Sequence, residues 1–257
     1  SGVLHDPIGI DRGELVRLAK ERRMISHFDV SKLSPEGYRV LVEDRNVTLP
    51  SGQVITDGFA FRNRAHLLFK ADLFVPCGGR PESINISNVN ELIKDGDKCN
   101  YKYIVEGANL FITRQARLEL EKHGVILYPD ASANKGGVTS SSLEVLVGLS
   151  LSDDEYISNM LFVDGKPTQF YMDYVRDIQT NIARNAHSEF EAIWREHKDT
   201  GKPRSLISTD MSNALNRLSL QIENTNLFDQ EVLRSKILKL VFPETLVNKV
   251  GLDVLVK

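Results

Sequence analysis

The chain has 257 residues, of which 41% are hydrophobic and 26% are charged, and its formal net charge is -3. A charge so close to zero provides no basic surface for nucleic acid or for an anionic membrane, so we expect neither partner. The most apolar run, residues 143–151, contains Glu144 and is far shorter than the roughly 18 residues of a membrane span. The composition is that of an ordinary globular protein with one or two domains.

The cysteines indicate where in the cell the protein is located, and the first residues indicate whether the chain is part of a longer polypeptide. Cys77 and Cys99 are too few for a disulfide framework, and neither lies in a motif with zinc-ligand spacing. We therefore expect no metal site and an intracellular location, either cytoplasmic or mitochondrial. Because Ser1 is not an initiator methionine and no apolar signal core follows it, we expect the chain to be part of a longer polypeptide.

The N-terminal part contains a predicted helix and a predicted β-hairpin. Asp11 and Glu14 have the spacing of a capping box, which predicts a helix over residues 11–24. Residues 38–42 and 47–56 alternate apolar and polar side chains around turn residues, which predicts a small hairpin insert near residues 38–56.

From residue 71 the pattern changes to short apolar runs separated by helical segments. Three runs predict buried parallel strands: residues 73–75, 103–105 and 125–128. Ser87 or Asn88 can begin the helix after the first run, and Thr113 and Gly124 can begin and end the next helix. This βαβαβ order predicts an α/β fold with an open parallel sheet and helices on its faces.

The C-terminal part is predicted to be helical. Apolar residues recur at close to 3.6 residues over 168–197, and further helices are predicted at 208–223 and 229–240. We therefore predict one domain over residues 1–150, followed by a helical region over residues 151–257.

Small residues follow each of the three predicted strands, in segments 76–80, 106–109 and 129–137. Ligands of open α/β sheets bind at the carboxyl ends of the strands, and small residues let a flat ligand lie against the backbone. Asn109 and Asn134 can each donate and accept hydrogen bonds, which suits a carboxamide or a ribose. Turn chemistry alone also favours glycine and asparagine, but three such segments in succession favour a ligand.

The third segment continues into glycines and hydroxyl residues at a predicted helix start, residues 136–142. Unpaired N–H groups, the helix dipole and hydroxyl donors together favour a carboxylate or a phosphate. Simple capping of the helix by one serine is the alternative. Lys135 could meet such an anion, although a lysine in a loop is more commonly exposed.

Three segments resemble the cofactor domain of glutamate dehydrogenases, most of all the large NAD-dependent class of fungi and related microbes. They read PCGGRP at residues 76–81, VEGAN at 105–109 and DASANKGGVTSSSLE at 130–144. The resemblance extends from Ser1 to about Leu161. It implies reversible oxidative deamination of L-glutamate to 2-oxoglutarate and ammonia, with hydride transfer to NAD, in an enzyme that is a homo-oligomer when intact.

The resemblance also implies roles for individual residues. Asn109 and Asn134 would lie beside the nicotinamide and its ribose, and Cys77 and Gly78 would line the path of the cofactor. These four residues are the predicted cofactor-binding residues.

Two further residues would bind the substrate. By the same resemblance, Val138 and Ser141 would contact it, with the Ser141 hydroxyl on the side-chain carboxylate. This assignment agrees with the anion site predicted at the helix start.

The chain departs from the family pattern in several places. No G-x-G-x-x-G/A motif is present, so we expect a partial Rossmann-like parallel sheet that lacks its first βαβ turn. We expect that turn, the acidic ribose-binding residue and the substrate domain with its catalytic lysine and aspartate to lie upstream of Ser1. No residue of this chain is therefore predicted to be catalytic, and the isolated chain is predicted to be inactive and to bind NAD poorly. Lys135 also replaces a residue that is commonly small.

Two other functions remain open from the sequence. A dehydrogenase of a branched or aromatic amino acid would keep the same cofactor chemistry, and the lysine that would distinguish it is expected upstream. The second alternative is a non-catalytic assembly or regulatory module. In such a module the C-terminal helices would pack against neighbouring subunits.

Overall fold

The computed structural model describes residues 1–94 and 98–256. Its contacts form two compact units, Ser1–Lys70 and Ala71–Lys257. This division does not coincide with the boundary predicted between residues 150 and 151, because helices from both sides of that boundary pack in one core of the second unit. The predicted domain boundary stays a prediction. Among the described helices, none combines the length and the apolar character that crossing a bilayer requires.

The first unit contains four short strands. They are β1 (Gly2–His5), β2 (Tyr38–Leu41), β3 (Val47–Thr48) and β4 (Val54–Ile55). β3 and β4 form an antiparallel hairpin, but β2 pairs antiparallel with β1. The hairpin predicted near residues 38–56 is therefore wrong in its first strand. Alternation specifies a strand but not its partner, and burial of Val3 beside Val40 selects β1.

The first unit also contains two helices, α1 (Arg12–Lys20) and α2 (Gly58–Leu68). Asp11 caps α1 as predicted, with its carboxylate accepting from the Glu14 N–H at 2.7 Å. The Glu14 carboxylate accepts instead from the Asp29 N–H at 2.9 Å, so the reciprocal half of the capping box is absent. The helix ends earlier than residue 24, and Arg22 has a left-handed backbone with φ of 52°.

The second unit is built on a parallel sheet. Its strands are β5 (Ala71–Phe74), β8 (Tyr101–Val105) and β9 (Ile126–Tyr128), in the order β5-β8-β9, with a small antiparallel pair β6 (Ile93–Lys94) and β7 (Lys98–Cys99). The three predicted strands are present and pair in parallel, as expected. The prediction that all three are buried is wrong for β5, where Leu73 is 52% exposed, because β5 lies at the edge of the sheet and an apolar run does not show whether its faces are covered.

The two connections between these strands differ. Helix α3 (Arg114–Lys122) follows β8, capped by the Thr113 side chain, and Gly124 follows it with φ of 80°. The helix predicted from Ser87 or Asn88 is only a single 3-10 turn, because the Asn88 amide bonds to residues before it and does not cap a longer helix.

The rest of the second unit is helical, as predicted. The helices are α4 (Asp130–Ala133), α5 (Gly136–Ser150), α6 (Asp153–Met160), α7 (Gln169–Thr200), α8 (Arg204–Glu223), α9 (Glu231–Val241), α10 (Glu244–Val250) and α11 (Leu252–Leu255). α7 begins after the Thr168 cap and ends at Gly201, which has φ of 70°. Along its length, Tyr174 packs with residues of α5 and α10, and Ile193 packs with Tyr128 of β9. α7 therefore packs against α5 and α10 near its beginning and against the sheet near its end.

Candidate functional site

The carboxyl ends of β5 and β8 approach each other closely. The Ala108 N–H donates to the Pro76 carbonyl at 2.7 Å. A Cβ atom added to Gly107 would lie 2.9 Å from the Cys77 Sγ and 3.3 Å from the Pro76 oxygen. Glycine at residue 107 favours this close approach, which brings exposed Cys77 beside the segment that carries Asn109.

The asparagines after β8 and β9 meet at the same edge. The Asn134 Nδ2 donates to the Asn109 Oδ1 at 2.5 Å and lies 3.4 Å from the Gly107 carbonyl. Whichever way the two amides are turned, one NH₂ group and one carbonyl oxygen of the pair have no hydrogen bond to another described side chain. One donor and one acceptor are the two kinds of partner that a primary carboxamide needs.

The glycines near the asparagine pair leave its surroundings open. A Cβ atom added to Gly78, Gly79 or Gly137 would have no atom within 4 Å. The fold does not require glycine at these positions for packing, whereas a ligand lying against the backbone would require it. The edge therefore fits a flat, amide-bearing ligand.

The side chains at the start of α5 already have hydrogen-bond and ion-pair partners, which the sequence does not predict. Lys135 occupies its N-cap position, and the Lys135 Nζ pairs with both carboxylate oxygens of Glu189 on α7, at 2.7 and 2.8 Å. The Ser141 Oγ donates to the Gly137 carbonyl at 2.7 Å, and the Ser142 Oγ donates to the Val138 carbonyl at 3.0 Å. The hydroxyls therefore bond to their own helix, and an anion could engage them only after they rotate.

The two predicted substrate-binding residues differ in their surroundings. Val138 is 73% exposed and lines a cavity of about 320 Å³ together with Ser142 and Arg184. Ser141 is also exposed but lies one position along the helix from Ser142, which is the hydroxyl that lines this cavity. The structure thus places both predicted residues on the first two turns of α5, with only Val138 on the cavity wall.

A buried ionic network, which was not predicted from the sequence, adjoins the segment that carries Asn109. Glu106 is fully buried, and Arg117 of α3 donates to both of its carboxylate oxygens, at 2.6 and 3.0 Å. The same guanidinium donates to Asp130 at 2.8 Å. Burial raises the pKa of Glu106 above its usual value, against the opposing effect of Arg117. Burial lowers the pKa of Arg117, but the carboxylates of Glu106 and Asp130 raise it by more, so the pKa is raised overall.

The sequence does contain a signal for this network. Glu106 follows β8 directly and Asp130 follows β9 after Pro129, at the edge where parallel strands present their ligand-binding ends. Arg117 lies in the first turn of the connecting helix. Carboxylates in these positions indicate a function at the sheet edge, although the sequence cannot show which cation joins them.

Across residues 1–94 and 98–256, no group of three or more histidine, cysteine, aspartate or glutamate side chains is arranged to hold a metal ion.

Comparison with known proteins assigns the family. The family model of glutamate/leucine/phenylalanine/valine dehydrogenases matches residues 1–201. This chain belongs to that family. The family match extends past residue 161, where the recognisable resemblance was expected to weaken, and ends at the glycine that terminates α7.

Several relatives within the family are similar over nearly the whole chain. The NAD-specific glutamate dehydrogenase of Neurospora crassa is 55% identical over 100% of this chain and 25% of its own length. The probable NAD-specific glutamate dehydrogenase of Schizosaccharomyces pombe is 54% identical over 98% of this chain and 23% of its own length. The NAD-specific glutamate dehydrogenase of Saccharomyces cerevisiae is 43% identical over 98% and 24%. The chain therefore spans about a quarter of the length of these relatives.

Proposed function

We propose that this chain forms the cofactor-binding part of an NAD-dependent glutamate dehydrogenase, which interconverts L-glutamate with 2-oxoglutarate and ammonia. The observation that carries the proposal is the Asn109–Asn134 pair at the open edge of the sheet, with a donor and an acceptor left for a carboxamide. Relatives that align with the whole chain and are named NAD-specific glutamate dehydrogenases support the choice of cofactor and substrate.

The proposed cofactor residues bind NAD and orient its nicotinamide ring. NAD, when bound, supplies the acceptor for the hydride. Asn109 and Asn134 hold the carboxamide and the ribose hydroxyls by hydrogen bonds, which limits rotation of the ring. Cys77 and Gly78 provide the small surface along which the cofactor lies. We assign no proton transfer to these residues.

The proposed substrate residues lie on the first two turns of α5. The N–H groups of this helix start and the positive end of its dipole favour the side-chain carboxylate of glutamate, and Val138 contacts the carbon chain. Ser141 exchanges its hydrogen bond to the Gly137 carbonyl for one to the carboxylate.

The cofactor proposal is tested in the full-length polypeptide that contains this chain. We expect Asn109→Ala and Asn134→Ala each to raise the Kd for NADH about tenfold, the effect of losing about one hydrogen bond. Asn224→Ala, which removes an exposed amide at the end of α8, is the matched control and should leave the Kd unchanged. NADH fluorescence titration measures all three. An unchanged Kd in both Asn109→Ala and Asn134→Ala would remove the pair from the cofactor site.

The substrate proposal is tested by steady-state kinetics of the same polypeptide. Because the Ser141 hydroxyl gives up an internal bond, we expect Ser141→Ala to cost about 1 kcal/mol, a roughly fivefold higher KM for glutamate. Ser142→Ala is the control. If Ser142→Ala raises this KM and Ser141→Ala does not, the substrate lies in the cavity between α5 and α7 instead. Turnover of leucine, valine or phenylalanine in place of glutamate would change the substrate class.

The isolated chain of 257 residues is proposed to be inactive, because its sequence contains no glycine-rich dinucleotide turn. We expect no glutamate-dependent NADH production from it. Measurable production would show that these residues suffice for catalysis.

A further inference from the structure

The segment that carries Asn109 is held by two buried carboxylates. The Leu110 N–H donates to the Asp130 Oδ2 at 2.7 Å, and the Ile112 N–H donates to the Glu106 Oε2 at 3.3 Å. Leu110 has φ of 56°, a left-handed conformation that a leucine adopts only when its surroundings impose it. The direction in which Asn109 leaves the sheet edge therefore depends on these two hydrogen bonds.

One of these carboxylates, that of Asp130, belongs to the segment that leads to Asn134. Asp130 is the first residue of α4, and its carbonyl accepts from the Asn134 N–H at 3.1 Å. Its Oδ1 also accepts from the Ala131 N–H at 2.9 Å. The bonds from the Leu110 N–H and from Arg117 to the Asp130 carboxylate therefore hold the first residue of α4 against the segment that carries Asn109.

Arg117 is the group that joins Glu106 to Asp130. Its guanidinium is only 15% exposed and bonds to both carboxylates. A lysine ammonium is a compact point charge and lacks the planar fork that spans two acceptors at these positions. The arginine is therefore specific to this geometry rather than to its charge alone.

We propose that Arg117 is a positioning residue for cofactor binding, which fixes Asn109 and Asn134 at hydrogen-bonding distance through Glu106 and Asp130. This inference rests on the proposed function, because it takes the asparagine pair as the cofactor contact. Well-packed apolar side chains stabilise a core as well as a buried ion pair does, whereas only the charged network also supplies acceptors for the Leu110 and Ile112 N–H groups.

The test compares Arg117→Lys with two controls in the full-length polypeptide. Arg114→Lys makes the same change at an exposed position of the same helix. Val40→Ala weakens the core of the first unit, and it shows what a loss of stability alone does. Each variant is measured by hydrogen exchange of residues 106–113 without ligand, by NADH titration and by the KM values for NAD and glutamate.

We expect Arg117→Lys to increase hydrogen exchange in residues 106–113 and to raise the Kd for NADH and the KM for NAD about tenfold. The KM for glutamate should change less than about twofold, and both controls should retain the parent Kd. A purely structural role would lower the active fraction and leave the KM for NAD unchanged. An unchanged KM for NAD in Arg117→Lys, or faster hydrogen exchange with an unchanged Kd for NADH, would overturn this inference but not the proposed function. A parent protein that binds no NADH would overturn the proposed function itself.

Discussion

Each compact unit contains a glutamate that is paired with an arginine through two hydrogen bonds. In the first unit Arg17 donates to Glu14 at 2.9 and 2.5 Å, and in the second Arg117 donates to Glu106 at 2.6 and 3.0 Å. The pairs differ in their arginines, because Arg17 is 42% exposed and Arg117 is 15% exposed. They also differ in their neighbours: Lys32 lies 3.6 Å from Glu14, whereas Asp130 shares Arg117 with Glu106.

These surroundings move the pKa values of the two glutamates in opposite directions. Hydrogen bonds from Arg17 and from the Asp29 N–H lower the pKa of Glu14 to about 2. Burial raises the pKa of Glu106, and the second carboxylate, Asp130, adds to the increase. The pair is thus favourable in the first unit, where Glu14 is buried but its arginine is exposed, and electrostatically costly at the sheet edge, where both partners are largely buried and the network orders the segment that carries Asn109.

The largest effect expected from this difference comes from removing each arginine. Arg117→Met leaves two carboxylates in a buried site without their cation, which should cost about 3–5 kcal/mol of unfolding free energy. Arg17→Met should cost much less, because Glu14 keeps the Asp29 N–H and Lys32. Urea unfolding followed by the fluorescence of Trp194, the only tryptophan, measures the second unit, and hydrogen exchange of α1 measures the first. Equal losses in the two variants would contradict the distinction.

A glycine next to each glutamate extends the comparison to the backbone. A Cβ atom at Gly107 would lie 3.3 Å from the backbone oxygen of Pro76, which accepts from the Ala108 N–H, so Gly107→Ala should destabilise the second unit by about 1–3 kcal/mol. A Cβ atom at Gly13 would meet only the Asp11 Oδ1, at 3.3 Å, and alanine favours a helix, so Gly13→Ala should change stability by less than about 1 kcal/mol. Urea unfolding followed by Trp194 fluorescence measures the effect of Gly107→Ala, and hydrogen exchange of α1 measures the effect of Gly13→Ala. A neutral Gly107→Ala would show that the ends of β5 and β8 can separate without cost.

The smallest expected effect is the dependence of each glutamate's contribution on pH. The lowered pKa of Glu14 means that its contribution is present above its usual pKa of 4.5 and is lost as the pH falls towards about 2. The raised pKa of Glu106 has the opposite sign: its contribution is present below 4.5 and is lost as the pH rises through the raised value. We expect the stability differences from Glu14→Gln and from Glu106→Gln to change in opposite directions between about pH 3 and pH 7. Slopes of the same sign would show that burial does not dominate at Glu106.

Local signals in the sequence predicted most of the elements. Thr113 and Gly124 delimit α3, and the apolar periodicity of residues 168–197 identifies α7 to within a few residues. These signals are local, since a cap or a helical face involves residues only a few positions apart. The pairing of β2 with β1 and the short turn after Asn88 involve choices between partners, which a local pattern does not contain.

The candidate site was predicted to a similar extent. The strand ends indicated Asn109 and Asn134, because carboxyl ends of parallel strands meet at one edge of a sheet. The sequence did not indicate that the serine hydroxyls bond back to their helix, nor that Lys135 pairs with Glu189, which is 54 residues away along the chain. Hydroxyl rotation and long-range ion pairs depend on packing that composition and spacing do not specify.

By itself the sequence determined the three parallel strands, the helices after β8 and the chemistry of the strand ends, because these follow from side chains near one another along the chain. Only the tertiary structure decided that Glu106 and Asp130 share the guanidinium of Arg117 and that Arg117 connects the asparagine-bearing segments. The physical reason is that burial and charge pairing depend on distances in space, and these are set when the sheet and α3 pack together.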